Sequence, residues 1–270
     1  MSFKRAAAEN LKKRLWAFWN AQQSYWDMTS SEEFVDSPAR QLAASFLPKN
    51  EPVLDIACGT AANSAWLKES CRYFGIDLSM TALKKPVDPA LYLTCGDADH
   101  LPFSDGSFGG VIATYVLEHT VTPVETLEEI TRVVKTGGRI VLLGPAWDFP
   151  FWAPNSLNSK SGNSFWRLRY TLGRLWQHLL GWLFGRLPFV GVEDPDAFHY
   201  DFIYDADVVY IMWTYEIIRL MKQRGHKLVY WKADTQLLGT NFAIRSLKGL
   251  LLKLPIYRYA GSTLLLVFEK

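Results

Sequence analysis

The chain has 270 residues, 49% of them hydrophobic, and a formal net charge of only +2 at neutral pH. This length can bury one large core without disulfides, and so small a charge gives no reason to expect a nucleic-acid partner. Its three cysteines show no C-x-x-C spacing, and no uncharged apolar run approaches the roughly 20 residues that span a bilayer. We therefore expect reduced thiols and a cytoplasmic location, with peripheral contact to the inner membrane face left open.

The first 48 residues are predicted to be helical. Residues 3–22 combine apolar and basic positions at helical spacing, as expected of a basic amphipathic helix. That helix either packs on the core or serves as a lid or membrane contact. Ser37-Pro38 then opens a second helix that extends to about Phe46.

Residues 53–77 contain the combination of residue types that most clearly points to a ligand. A short apolar run forms a predicted buried strand and breaks at a small-residue turn around Gly59. A helix is predicted to follow, with Thr60 as its N-cap. Small residues such as Ala57 and Ala61 would let a ligand approach the backbone N–H groups there.

The second strand of this unit ends in Asp77, 18 positions after Gly59. An acid at the tip of this strand can accept hydrogen bonds from both hydroxyls of a ribose, which predicts a ligand with an adenosine group. We expect Asp77→Ala to abolish binding and to leave the fold intact. The turn lacks the G-x-G-x-x-G pattern, and Asp55 in front of it would suit a cationic amino-acid group better than a pyrophosphate.

Three further motifs follow in order: Cys95-Gly96-Asp97-Ala98 with Leu101-Pro102-Phe103 and Asp105-Gly106-Ser107-Phe108, then Val116-Leu117-Glu118-His119, then Lys135-Thr136-Gly137-Gly138-Arg139. Together with residues 53–77 they resemble the class I S-adenosylmethionine (SAM) methyltransferases of the type-11 group. That group includes the ubiquinone and menaquinone C-methyltransferases. The resemblance implies SAM as cofactor and S-adenosylhomocysteine as product.

The resemblance also implies an α/β, Rossmann-like fold with a mostly parallel seven-stranded sheet and helices on both faces. Strands are predicted at 91–94, 110–114 and 140–143, a helix at 125–134, and a final antiparallel pair at 227–231 and 263–268, after a long helix over 208–224. We expect a single domain over 1–270. Its parts are N-terminal helices (1–48), a SAM-binding core (49–144), an aromatic-rich helical insertion for substrate recognition after strand five (145–207), and a C-terminal helix with the final strands (208–270).

The predicted cofactor contacts follow from the family's motifs: Asp55 near the methionine ammonium, Asp77 on the ribose, Leu78 on the adenine face, Asp97 on the adenine amino group, and further contacts from Tyr25, Ala57, Gly59, Ala98 and Tyr115. Two departures accompany them. The family often has glycine at the positions of Ala57 and Ala61. Tyr115 replaces the first glutamate of the E-x-x-E-H of metal-dependent quinone O-methyltransferases, so no metal is expected.

His119 is the first candidate for a catalytic base, because it follows the fourth strand where the methyl group should emerge, and His199 is the second. A purely structural role is the alternative for each. The predicted substrate contacts are aromatic residues of the insertion, namely Trp147, Trp152 and Tyr200.

Residues 164–187 form a predicted helix with a narrow polar stripe that includes Arg167, Thr171, Arg174 and His178, opposite a broad apolar face. No acidic residue occurs between positions 149 and 192, or between 235 and 268. The helix could cap a pocket or lie at a membrane surface. Either role favours a hydrophobic acceptor.

Two functions are compatible with these patterns. One is a SAM-dependent methyltransferase acting on a quinone, isoprenoid, lipid or aromatic natural product. The other is a non-catalytic SAM-fold subunit whose aromatic insertion docks a partner protein or a membrane. The acceptor atom and the oligomeric state are not predicted.

Overall fold

The computed structural model describes residues 5–31, 35–145, 147–148, 150–157, 164–185, 189–198, 207–233, 242–261 and 263–270. Within them, seven strands form one sheet in the order β3-β2-β1-β4-β5-β9-β8. The strands are β1 Pro52–Ile56, β2 Arg72–Asp77, β3 Tyr92–Cys95, β4 Phe108–Thr114, β5 Val134–Pro145, β8 Lys227–Ala233 and β9 Thr263–Glu269. Two further strands, β6 Val190–Gly191 and β7 Tyr210–Ile211, pair separately.

The described helices flank this sheet. They are α1 Arg5–Ala21, α2 Gln23–Thr29, α3 Pro38–Ala44, α4 Ser64–Leu67, α5 Met80–Leu83, α6 Pro123–Val133, α7 Ser164–Phe184, α8 Thr214–Gln223 and α9 Phe242–Leu251. None of them combines the length and apolarity that a membrane crossing requires, as far as the described ranges go. The sequence-based expectation of an α/β Rossmann-like fold is confirmed.

The sheet has a buried core on each face. Strands β1 to β5 run parallel, β9 pairs antiparallel with β5, and β8 pairs antiparallel with β9. On one face Leu54 and Ile56 pack with side chains from α1, α6 and α8, and on the other Val53 packs with α3 and α4. This alternation is why β1 and β4 are almost continuously apolar.

The local predictions fail at two element boundaries. Thr60 does not cap a helix, because the chain turns through residues 59–63 and α4 begins only at Ser64. The long helix predicted over 208–224 begins at Thr214, since residues 210–211 form β7 and pair with β6. The predicted antiparallel pair formed by β8 and β9 is confirmed.

Helix α7 buries its polar face and exposes its apolar face, the reverse of a normal amphipathic helix. Thr171, Arg174 and His178 on its polar stripe are buried. Nδ1 of His178 lies 2.9 Å from Oε1 of the buried Glu216, and Arg174 donates a hydrogen bond to the carbonyl oxygen of Ile211. The polar stripe therefore faces the protein.

Candidate active site

A crevice of about 650 Å³ lies at the carboxyl ends of β1, β2 and β4, with α1 and α2 over it. Ligands of open α/β sheets bind at such an edge, next to the point where the strand order reverses. The order here reverses between β1 and β4, because β1 pairs with β2 on one side and with β4 on the other. Most of the predicted cofactor residues line the crevice: Tyr25, Ala57, Gly59, Asp77, Leu78, Asp97, Ala98 and Tyr115.

The carboxylate of Asp77 is held against the turn that follows β1. The backbone N–H of Gly59 donates to Oδ2 at 2.8 Å, and that of Ser79 donates to Oδ1 at 2.7 Å. Each carboxylate oxygen can accept a second hydrogen bond, so both remain able to bind a hydroxyl from the crevice. The arrangement therefore fits a ribose.

Burial raises the pKa of Asp77 to about 6, although the two backbone N–H groups oppose the shift. The carboxylate is mostly ionised at neutral pH. It is then a hydrogen-bond acceptor at the crevice wall. Charge-assisted hydrogen bonds of this kind are stronger than neutral ones.

Two residues that line the crevice, Ala57 and Tyr115, and the buried Ala61 in the same turn adopt left-handed backbone conformations that are unusual for residues other than glycine. The φ angles are 50° for Ala57, 62° for Ala61 and 58° for Tyr115. Ala57 and Ala61 stand where the family often has glycine. Glycine adopts this conformation without steric cost, whereas the Cβ of alanine makes it strained. Such strained residues concentrate at functional sites.

Asp55 does not line the crevice. It is fully buried, and its oxygens accept hydrogen bonds from Nδ2 of Asn63 at 3.1 Å and from the hydroxyl of Tyr73 at 2.6 Å. Burial raises its pKa to about 7, with these donors opposing the shift. The structure thus gives Asp55 a structural environment and does not bring it to the predicted ammonium contact.

Aromatic side chains from α1 and α2 cluster over the turn. Trp19 contacts Tyr25, Trp26 and His119, with ring centroids 5.3, 5.4 and 5.8 Å apart. A Cβ atom on Gly59 would lie 3.1 Å from the Trp26 ring, so the turn and the indole are in close approach. The sequence analysis did not single out Trp19, within residues 3–22, or Trp26, beyond them, for the site.

The end of the crevice near β3 is acidic and is crossed by a lysine from α1. Nζ of Lys12 lies 2.9 Å from Oδ2 of Asp97 and also pairs with Asp99. These two interactions raise the pKa of Lys12 although its burial opposes the shift. The predicted adenine contact Asp97 therefore interacts with the N-terminal helix. Leu78 and Ala98 also line the crevice.

His119 lines the crevice beside a carboxylate that the sequence did not indicate. Its Nδ1 lies 2.9 Å from Oδ2 of Asp207, which is 2% exposed. Its Nε2 lies 3.7 Å from Oε1 of Glu118. Asp207 precedes β7, and the pairing of Val209 N with the carbonyl oxygen of Glu118 brings this segment to the turn after β4.

Arg40 is another site residue that the sequence analysis missed. It lies on α3, lines the crevice, and donates hydrogen bonds to Oδ1 of Asn63 and Oγ1 of Thr114. Its guanidinium is 5.8 Å from the Tyr115 ring centroid. Since α3 precedes the recognisable motifs, the only available signal was the isolated basic residue after Ser37-Pro38.

Two of the three predicted substrate residues lie elsewhere. Trp147 is buried in a separate cluster with Val192, Val208 and Ile211, and Trp152 packs against that cluster. Neither lines the crevice. His199 and Tyr200 lie outside the described residues. Across the described ranges, no three His, Cys, Asp or Glu side chains form a group that could hold a metal.

Comparison with known families accounts for the motifs around this crevice. Residues 54–142 match the family model described as a methyltransferase domain. They form a class I methyltransferase domain of the type-11 group. This segment of the methyltransferase domain contains Asp77, Asp97 and His119.

Curated relatives match just over a third of the chain. The demethylmenaquinone methyltransferase of Beutenbergia cavernae is 38% identical over 111 residues, covering 38% of this chain and 44% of the relative. That of Streptomyces avermitilis is 36% identical over 107 residues, covering 38% and 46%. This chain thus spans less than half the length of these curated relatives.

Solved structures resemble the whole methyltransferase fold at low identity. A SAM-dependent methyltransferase from Thermotoga maritima has a TM-score of 0.57 and 15% identity, covering 95% of this chain and 99% of that one. The cyclase SpnF has a TM-score of 0.52 and 14% identity, covering 86% and 80%. These likenesses establish the fold alone.

The cofactor of this methyltransferase domain is S-adenosylmethionine, and the crevice residues fit that molecule. Asp77 matches a ribose, and Asp97 an exocyclic amino group. The faces of Trp19, Tyr25 and Trp26 suit a cationic centre, because aromatic ring faces carry negative potential. The guanidinium of Arg40 would hold the methionine carboxylate.

Proposed function

We propose that the chain transfers the methyl group of SAM to a hydrophobic small molecule, with a quinone as the favoured class of acceptor. The observation that supports this most strongly is the meeting of two groups in one crevice. Asp77, bound to the Gly59 turn, marks the cofactor end, and His119 beside Asp207 provides an acid–base group next to it. A protein that only binds SAM would not require the acid–base pair of His119 and Asp207.

When bound, SAM supplies a methyl group on a cationic sulfonium that departs as a neutral thioether. The protein's contribution is alignment, exclusion of water and removal of a proton from the acceptor where needed. Trp19, Tyr25 and Trp26 shield the crevice from above. Their rings also stabilise positive charge beneath them.

His119 is the proposed base and Asp207 its positioning residue. We infer that Asp207 favours the tautomer with the proton on Nδ1, because its carboxylate lies 2.9 Å from that atom, and this would leave Nε2 as the basic atom. The edge of Trp19 packs against the same ring and restricts its rotation. A base held in one tautomer and orientation typically contributes about 10²- to 10⁴-fold to rate.

A hydrophobic acceptor suits the remaining lining of the crevice. Leu15, Val116 and Val121 contribute apolar surface near His119. The relatives from Beutenbergia cavernae and Streptomyces avermitilis are named demethylmenaquinone methyltransferases, which supports a quinone ring as acceptor. Apolar walls with a few polar groups are typical of sites for such ligands.

A non-catalytic SAM-fold subunit is the second candidate. The exposed apolar face of α7 favours it, since Trp176, Trp182 and Phe184 are 60%, 59% and 70% exposed and suit a docking role. The same fold also carries the cyclase SpnF, so the architecture alone does not select methyl transfer.

The test is transfer of radiolabelled methyl groups from SAM to demethylated naphthoquinones, benzoquinones and an apolar lipid extract, with product sorted by solvent partition. We expect label in the organic phase, lost in His119→Ala and reduced in Asp207→Asn while cofactor affinity is unchanged. His100→Ala, an exposed histidine that does not line the crevice, is the matched control. Binding of SAM without labelling of any acceptor would favour the docking subunit.

A further inference from the structure

The outward face of α7 is apolar along its length. Its exposed residues recur every three or four positions and so lie on one side of the helix: Phe165, Leu168, Leu172, Trp176, Leu179 and Leu183. Their exposed fractions range from 37% to 74%. The buried side of the same helix is polar, with Arg174 and His178. Water is a poor solvent for a surface of this kind, so it requires another occupant.

Helix α9 adds to this surface. Leu175 of α7 and Leu251 of α9 pack against the same cluster around Trp213 and Tyr257. The charge of Arg167 also contributes to lowering the pKa of Lys248, after the larger effect of burial, which places α9 near the first turn of α7. Exposed apolar residues continue on α9 and just beyond it: Phe242, Leu247, Leu250 and Leu254.

The charged side chains of the two segments that carry this surface are all basic. Neither residues 149–192 nor residues 235–268 contain an acidic side chain. Arg169 on α7 and Arg245 and Lys253 on or after α9 are exposed. Long basic side chains can lie along apolar surface with their charged ends at the level of lipid headgroups. Exposed tryptophans are also typical of membrane interfaces.

We propose that α7 and α9 lie in the plane of an anionic membrane, with their apolar side chains in the headgroup and acyl boundary. A protein interface usually has a polar rim with charges of both signs, whereas the exposed charges shown for α7 and α9 are basic and lie beside apolar side chains. Anionic lipid complements both features. The proposal does not rest on methyl transfer, although a membrane position would bring a hydrophobic acceptor to the crevice.

Vesicle flotation tests the proposal with the full-length chain. We expect recovery with vesicles containing phosphatidylglycerol and markedly less with pure phosphatidylcholine. The variant Leu172→Gln/Trp176→Gln/Leu179→Gln should lower partitioning at least about tenfold, because it removes several inserted apolar groups. The variant Arg169→Gln/Arg245→Gln/Lys253→Gln should lower binding to the anionic vesicles by on the order of tenfold or more, and should reduce their advantage over the neutral ones.

Matched controls separate a lipid surface from general stickiness. Val229→Gln/Trp231→Gln changes exposed apolar residues on β8, and Lys13→Gln/Arg72→Gln/Lys84→Gln removes exposed charges elsewhere, so both should float as the wild type does. Unchanged affinity for S-adenosylhomocysteine shows that each variant is folded. Failure of the wild type to float, equal loss in the control variants, or a stable dimer that α7 substitutions dissociate without any vesicle binding would each overturn the proposal. A failure of methyl transfer would leave flotation unaffected.

Discussion

Lowering the pH through about 6 should weaken cofactor binding by protonating Asp77. Burial raises the pKa of this carboxyl from 3.8 to about 6 in the ligand-free protein. Ribose hydroxyls must donate to the ionised form, so the cofactor binds only that fraction of the protein. About one-tenth of the carboxyl is ionised at pH 5, and the apparent Kd should therefore rise about tenfold between pH 7.5 and pH 5.

Isothermal titration with S-adenosylhomocysteine measures this effect without turnover. Asp77→Asn is the informative variant, since one amide oxygen can still accept a backbone N–H. Asp77→Ala would leave the amides of Gly59 and Ser79 without their acceptor, at about 1 to 3 kcal/mol each. The sequence-based expectation that this alanine variant keeps the fold intact is therefore revised.

We expect Asp77→Asn to bind the ligand weakly, by about 10²-fold or more, and to show no pH dependence between 5 and 7.5. Asp55→Asn controls for the other buried acid. Because the pKa of Asp55 is about 7, its titration would change the affinity at a higher pH than that of Asp77. An affinity that is flat down to pH 5 in the wild type, or an equal slope in Asp77→Asn, would refute the assignment of Asp77 to the ribose.

Further predictions concern strain, anchoring and pH-dependent stability. Ala57→Gly should raise the free energy of unfolding in urea by about 0.5 to 1 kcal/mol, because φ at this position is 50°. Ala65→Gly, at an exposed position of α4, should lower it by about the same amount. The reverse order would contradict the claim that Ala57 is strained. Lys12→Ala should speed amide hydrogen exchange in α1 with little change in Tm, since a half-exposed ion pair contributes at most about 1 kcal/mol; unchanged exchange would argue against anchoring. Burial raises the pKa of both Asp55 and Asp148 to about 7, so the folded state retains protons that the unfolded state releases above about 4. Their contribution to stability therefore falls as the pH rises from 4 to 7, and Tm should be higher at pH 5.5 than at pH 8. A Tm that increases over that interval would exclude these groups as the dominant ones.

The sequence was sufficient to predict the part of the site that lies at the ends of adjacent parallel strands. Gly59 follows β1 and Asp77 ends β2, and these strands are parallel neighbours, so the meeting of the two residues follows from the strand pattern. The same pattern held information about Asp55 that was not used. Side chains alternate along β1, and Asp55 shares the face of Val53, which packs against α3 and α4.

Other features depend on contacts between distant segments and have no local signal. Asp207 reaches His119 only because the segment before β7 joins the turn after β4. The two faces of α7 were evident from its periodicity, but their orientation was not. Its polar stripe turns inward because Glu216 and the carbonyl oxygen of Ile211 provide buried partners for His178 and Arg174.

The packing of Trp26 against the turn at Gly59 gives the crevice an intrinsic optical reporter. Since Trp26 packs against this turn and lines the crevice, we expect its emission to change when a ligand binds or leaves. The indole N–H of Trp26 donates a hydrogen bond to the carbonyl oxygen of Trp19 at 2.8 Å, and both indoles line the crevice. Stopped-flow fluorescence could thus follow occupancy in real time, with Trp26→Phe identifying the source of the signal.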